Sequence, residues 1–275
     1  MNPPRTAVPS SRGGKTWRRL RNATLVAAIG GLVLAMTPSA AFADETEYVA
    51  LGDSYSSGTG TRDYIDDGSD CERSTLAHPY LYAEQIGADL DFQACSGALI
   101  DDVRNNQMGS LSDSTDLVTM GIGGNDTGWV DVLISCGTPF TGDCWDDIAE
   151  AEDFIENELP GQLDGLYGEI SSAAPNADIV ITGYPRLFNG DSCNWLVDLS
   201  YEEQMALNDA ADMLTSVTSS AASDHGFTFV DVTDAFIGHA VCDDTEYLNG
   251  LSNPVGESFH PNVEGHQLGY LPQLP

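Results

Sequence analysis

The sequence predicts an α/β domain built on a five-stranded parallel sheet covered on both faces. Five short apolar runs recur along the chain, and helical segments separate them. No internal repeat, low-complexity tract or long linker breaks the alternation. Strands buried on both faces read as near-continuous apolar runs, and strand–helix alternation marks parallel sheets with right-handed crossovers.

The elements follow in chain order. Tyr48 to Gly52 is the first apolar run. Pro79 to Gly87 has helical spacing through Tyr80, Ala83 and Ile86. Leu90 to Cys95 and Leu117 to Ile122 read as the second and third strands. Asp146 to Ala174 is helical, with Pro160 ending one helix and starting another, because proline fits a first turn and breaks an interior. Ile179 to Thr182 is a buried-strand pattern, and Phe227 to Val232 is the fifth strand. Between them Ser200 to Ala222 forms a long helix, with Ser200 as N-cap and Glu203 completing a capping box.

Composition narrows the function. The 275 residues carry 43 acidic and 10 basic side chains, a formal charge of -33. So few cations exclude a nucleic-acid surface, while 41% hydrophobic content supplies a core and excludes disorder. Residues 1–43 stand apart. They hold no Asp or Glu but do hold Arg5, Arg12, Lys15, Arg18, Arg19 and Arg21, then an uncharged run from Ala23 to Met36 and an Ala41-Phe42-Ala43 cleavage pattern. That is the layout of a secretory signal, too short in its apolar part for a stable membrane anchor. Arg18-Arg19 raises the twin-arginine route, though the flanking residues fit it poorly. The expectation is an exported chain with one domain over 44–275. Arg62, Arg73, Arg104 and Arg186 are its only cations. That balance fits either a salty medium, which screens the self-repulsion, or ordinary acidic solubility.

The cysteines, Cys71, Cys95, Cys136, Cys144, Cys193 and Cys242, all lie beyond residue 43. An even number in an exported chain points to disulfides, with 15 pairings open to six cysteines. Sequence neighbours are favoured: Cys71-Cys95, Cys136-Cys144 and Cys193-Cys242. Zinc is disfavoured, since no C-x-x-C or Cys/His cluster occurs. Asp63 to Ser74 invites a calcium-loop reading with Gly68 at the sixth place, but Ile65 and Ser74 occupy ligand positions. No metal or cofactor is expected.

In parallel sheets, ligands bind beyond the carboxyl ends of the strands. After the first strand comes Gly52-Asp53-Ser54-Tyr55-Ser56-Ser57-Gly58, which sets Ser54 where strand gives way to helix, among free backbone N–H groups. A serine there is also a common helix cap. After the second strand, Gly97 lets its backbone N–H approach a ligand. After the third comes Gly121-Ile122-Gly123-Gly124-Asn125-Asp126, where Asp126 rules out a dinucleotide fingerprint and Asn125 offers an amide. Glu257-Ser258-Phe259-His260-Pro261-Asn262 lies near the end. His260 is the candidate base, in competition with His78, His225, His239 and His266.

GDSYSSG, the glycine after Cys95, GGND and HPN occur in an order and spacing that resemble the SGNH (GDSL-type) hydrolase family, particularly its secreted actinobacterial lipases and esterases. The resemblance runs from about Tyr48 to the end of the chain, and the six cysteines match the secreted subgroup, which supports the pairing above. It implies a three-layer α/β/α sandwich of flavodoxin-like order. It implies Ser54 as nucleophile, His260 as base, and an oxyanion hole of the Ser54 and Gly97 N–H groups with the Asn125 side chain. One departure stands out: the family's usual aspartate three residues before the histidine is Glu257 here. The main-chain carbonyl of Ser258, the arrangement some secreted relatives use, is preferred as the group that orients His260, with Glu257 the alternative.

The implied activity is hydrolysis of carboxylic, chiefly fatty-acyl, esters through an acyl-enzyme, by a monomer that takes ester or lipid as its partner and no nucleic acid. Carbohydrate deacetylation is an alternative, and a catalytically silent binding module on the same scaffold is another. Serine peptidase activity is disfavoured, because no peptide-cleft signature is visible.

Overall fold

Five strands, β1 (Glu47–Gly52), β2 (Asp89–Phe92), β3 (Leu117–Gly121), β4 (Asp178–Thr182) and β5 (Thr228–Val230), lie side by side in the computed structural model. All neighbours are parallel, in the order β2-β1-β3-β4-β5, the flavodoxin-like doubly wound arrangement. The structure describes residues 45–137, 144–193 and 199–275, so the expected export signal lies outside the described residues.

The pleat sorts the core into two layers. Tyr48 and Ala50 of β1 and Val180 of β4 face one side, where they meet Tyr82, Ile148 and Leu207. Val49 and Leu51 of β1, Val118 and Met120 of β3, and Ile179 and Ile181 of β4 face the other, against Leu159, Leu163, Leu166 and Ile170. This period-two alternation, apolar to both faces, is why the strands read as unbroken apolar runs.

Helices α1 (Ser54–Ser57), α2 (His78–Ile86), α3 (Ile100–Asp102), α4 (Trp129–Gly137), α5 (Trp145–Asn157), α6 (Leu159–Ala173) and α7 (Tyr201–Asp224) fill the crossovers. The predicted capping box starts α7: Ser200 Oγ accepts from the Glu203 N–H at 3.2 Å, and Glu203 accepts from the Ser200 N–H at 2.8 Å. The break between α5 and α6 falls at Glu158, with Pro160 in the first turn of α6. β2 stops short of the predicted Cys95, because the chain bends onto β1: the Gln93 and Ala94 N–H groups both donate to the Ala50 carbonyl, and the Cys95 N–H donates to that of Gly52. Disulfides join Cys71 to Cys95, Cys136 to Cys144 and Cys193 to Cys242.

The strand order reverses between β1 and β3, so the carboxyl ends of those two strands flank the crevice where doubly wound sheets bind ligands. Glycines let the two ends close on each other. Gly52 has φ of +126°, and a Cβ there would fall 2.5 Å from the Gly121 carbonyl oxygen. The Asp53 N–H donates to that same oxygen at 3.0 Å.

Candidate active site

Ser54 opens α1 directly beyond β1. Asp53 caps that turn, accepting from the Tyr55 N–H at 2.9 Å through Oδ1. Its other oxygen accepts from the Tyr184 hydroxyl, which in turn accepts from the Gly124 N–H at 3.3 Å. The loops after β1, β3 and β4 are thereby tied together through one buried carboxyl. Burial pushes Asp53 up to about 7, opposed by the hydrogen bonds from Tyr184 and Tyr55. On the opposite flank Gln107 brackets Gly52: its Oε1 accepts from the Gly52 N–H at 2.8 Å and its Nε2 donates to the Gly52 carbonyl at 2.9 Å.

His260 Nε2 lies 2.7 Å from Ser54 Oγ, and Nδ1 lies 2.9 Å from the Ser258 carbonyl. A carbonyl can only accept, so Nδ1 carries the proton. The neutral ring then presents a bare Nε2 to the serine hydroxyl, which is the tautomer a general base requires. Burial pushes His260 down from 6.5 to about 4, against the Ser258 carbonyl and the nearby Glu257 charge, which both favour the cation. The imidazole's own segment is held firmly. The Phe259 N–H donates to Asn249 and the Asn249 N–H to the His260 carbonyl, while the Tyr55 hydroxyl donates to the Phe259 carbonyl at 2.5 Å.

Glu257 does not hydrogen-bond His260. It is buried, and its oxygens accept from Arg62 Nε and the Tyr64 hydroxyl, each at 2.8 Å. The other histidines are engaged elsewhere. His225 pairs with Asp164 at 2.9 Å, His239 stacks on Tyr247 at 3.7 Å between centroids, and His78 and His266 form a buried pair. Asp63 to Ser74 closes on itself through the Ile65 N–H to Arg73 carbonyl bond, with Asp67 held by Arg73 and Ser69. Among the described residues no cluster of three metal-ligating side chains occurs.

Gly97 and Asn125 line the same cleft as Ser54 and His260. Gly97 has φ of +77°, and a Cβ would meet nothing within 4 Å, so the glycine serves the backbone conformation rather than close packing. Asn125 is fixed by one donated bond, Nδ2 to the Ala98 carbonyl at 3.0 Å.

The cleft measures about 640 Å³, and apart from these polar groups its walls are chiefly apolar. Trp129 and Leu133 come from α4, Leu187 from beyond β4, and Ala211 and Leu214 from α7. Sequence patterning did not mark α4. Apolar residues surround it rather than forming one stripe: Val132 and Cys136 are buried, whereas Val130 and Ile134 are exposed and line the cleft. An apolar side chain turned to solvent beside a reactive group is what an apolar substrate portion requires. Local sequence pattern does not mark Tyr184 or Gln107 either. Their roles come from partners 131 and 55 residues away, which no local pattern reveals.

Residues 50–268 match the GDSL-like lipase/acylhydrolase family. Lipase 1 of Streptomyces coelicolor is 45% identical over 251 residues, spanning 90% of this chain and 92% of the relative. Two crystal structures are also similar. An extracellular lipase from Streptomyces rimosus superposes with a TM-score of 0.79 at 43% identity, covering 82% of this chain and 97% of that one. Phospholipase A1 from Streptomyces albidoflavus also superposes at 0.79, with 41% identity over 83% of this chain and 97% of the other. A strand order that reverses at the serine loop, an all-parallel sheet and this degree of likeness have one reading: the chain belongs to the GDSL-like lipase/acylhydrolase family and is an ester hydrolase.

Proposed function

We propose that the protein is an exported serine lipase or esterase that cleaves fatty-acyl esters through an acyl-enzyme. The observation that carries this reading is the Ser54–His260–Ser258 chain of contacts opening into a large apolar cleft. As Ser54 Oγ bonds the acyl carbon, its proton passes to His260 Nε2 and the carbonyl π electrons move onto oxygen. The Ser54 and Gly97 N–H groups and the Asn125 amide stabilise that oxyanion. The intermediate collapses by breaking the bond to the alcohol oxygen, which takes the proton from His260. Water, deprotonated by the same imidazole, then releases the acid and restores Ser54. The Ser258 carbonyl keeps His260 in the required tautomer, with Glu257 serving structure.

An acetyl group needs room for one methyl, and the cleft of about 640 Å³ falls within the range of about 300–1,000 Å³ that encloses much larger ligands. Deacetylation is therefore the weaker reading, and a silent binding module would have no need of a serine hydrogen-bonded to a tautomerically fixed histidine. The residue 1–43 pattern, the three disulfides and the similarity to an extracellular lipase support the export part of this reading. The deciding experiment is kcat/KM for nitrophenyl esters from acetyl to long acyl chains, at several salt concentrations. Rising efficiency beyond acetyl supports the reading, and a maximum at acetyl overturns it in favour of an acetyl esterase.

A further inference from the structure

The segment that carries His260 contains a β-bulge. Leu248 and Pro261 are antiparallel bridge partners. Beside them one residue, Asn249, faces two. Its carbonyl accepts from the Phe259 N–H at 2.9 Å, and its own N–H donates to the His260 carbonyl at 2.8 Å. A bulge of this kind beside an active site re-aims a side chain, and the first of its two residues is ordinarily a left-handed glycine. Here Phe259 holds that place, with φ of +61°. A bulky residue is strained there, because its Cβ crowds the backbone.

The strained residue is the link between the base and the group that orients it. His260 Nδ1 reaches back to the Ser258 carbonyl at 2.9 Å, and Phe259 alone lies between them in the chain. Its φ therefore decides whether ring and carbonyl meet. The Phe259 carbonyl lies outside the pairing with Asn249, and the Tyr55 hydroxyl donates to it at 2.5 Å. Tyr55 follows Ser54 within α1. Its ring packs edge-on against Tyr184 at 5.1 Å and tilted beside His260 at 5.2 Å between centroids. One hydroxyl thus ties the turn bearing the nucleophile to the strained residue behind the base.

We propose that Tyr55 is a positioning residue for His260. Its hydroxyl holds the bulge at Phe259 in the left-handed state, and the bulge keeps Nδ1 on Ser258 and Nε2 aimed at Ser54. The proposal rests on the ester-hydrolase reading above.

The test begins with Tyr55→Phe, which deletes the hydroxyl and keeps the ring that lines the acyl cleft. On nitrophenyl hexanoate kcat should fall by roughly three- to tenfold, the worth of one neutral hydrogen bond, while KM moves by less than about twofold. The same substitution is then made in Phe259→Gly and in Phe259→Ala. Both backgrounds lose the phenyl ring, but only glycine takes a positive φ freely. Adding Tyr55→Phe should cost roughly three- to tenfold in kcat beside alanine and less than about twofold beside glycine. A general loosening of the fold would cost the same in both. An equal loss in the two backgrounds, or a Tyr55→Phe enzyme whose kcat stays within about twofold of wild type, would overturn the proposal. Where the Phe259 variants do not fold, proton NMR of Tyr55→Phe decides. The Nδ1–H signal that vanishes in His260→Gln should exchange with water faster than in the wild-type enzyme, and an unchanged rate would overturn the proposal. Failure of the wild-type enzyme on nitrophenyl hexanoate would instead overturn the ester-hydrolase reading, and this proposal with it.

Discussion

Glu257→Gln separates a carboxylate triad from a histidine oriented by the main chain. The carboxylate accepts from Arg62 Nε and the Tyr64 hydroxyl, each at 2.8 Å, in a buried position. Glutamine keeps an acceptor oxygen for Arg62 and turns its NH2 toward the Tyr64 hydroxyl, which can accept it, so what is lost is chiefly the charge. Charge-assisted hydrogen bonds contribute about 1.5–3 kcal/mol, but the Arg62 side chain is 56% exposed and solvent screens its share. The expected loss of stability is therefore about 1–2 kcal/mol, a fall in Tm of roughly 2–8 °C for a domain of this size. Catalysis should respond differently. Nδ1 keeps its bond to the Ser258 carbonyl, so the tautomer survives and kcat should fall less than about tenfold. Losing a true orienting carboxylate costs about 10⁴ in kcat. Steady-state kinetics on a nitrophenyl ester, paired with thermal melting, reads both quantities. A kcat loss near 10⁴ in a folded variant would refute the assignment of Ser258.

Three further outcomes follow from the same geometry. Asn125→Ala should lower kcat by about 10²–10³, while melting reports little more than the lost bond to Ala98; an unchanged kcat would remove Asn125 from the oxyanion hole. Because burial holds His260 down at about 4, the base stays neutral well into acid. The acid limb of kcat/KM should accordingly have its midpoint below 6.5, and a midpoint at or above 6.5 would contradict this. Asp53 sits at about 7 in the fold against an ordinary 3.8, so the folded state holds its proton more firmly between those values. Its contribution to stability is full below 3.8 and is lost as pH rises through 7. Asp53→Asn should therefore gain stability relative to wild type between pH 4 and pH 8 in denaturant melts, and a constant difference would sink that reasoning.

What was legible in the sequence was whatever depends on near neighbours. Val49, Leu51, Val118 and Met120 read as strand because alternate residues are buried on both faces of one sheet. Ser200 and Glu203 read as a helix start because both halves of the cap lie within one turn. Ser54, Gly97 and Asn125 each follow a predicted strand but singly also read as caps or turns; with His260 they stood out as an ordered set through their resemblance to the family. Legibility ended where a role depends on a distant partner. Glu257 carries a suggestive offset from His260, yet Arg62 and Tyr64, 195 and 193 residues away, claim its carboxylate. Tyr184 looks like an ordinary aromatic after β4 until its hydroxyl is found on Asp53. Helix α4 escaped notice because Val130 and Ile134 break the one-sided pattern by facing the cleft.

Reaction with a fluorophosphonate probes the activated serine most directly, since an ordinary serine hydroxyl does not attack phosphorus at a useful rate. Mass spectrometry of the treated enzyme should locate a single adduct on the peptide containing Ser54, formed in step with loss of ester hydrolysis, and His260→Gln should slow its formation by orders of magnitude. An adduct on another residue, or full turnover by Ser54→Ala, would contradict the proposed mechanism at its root.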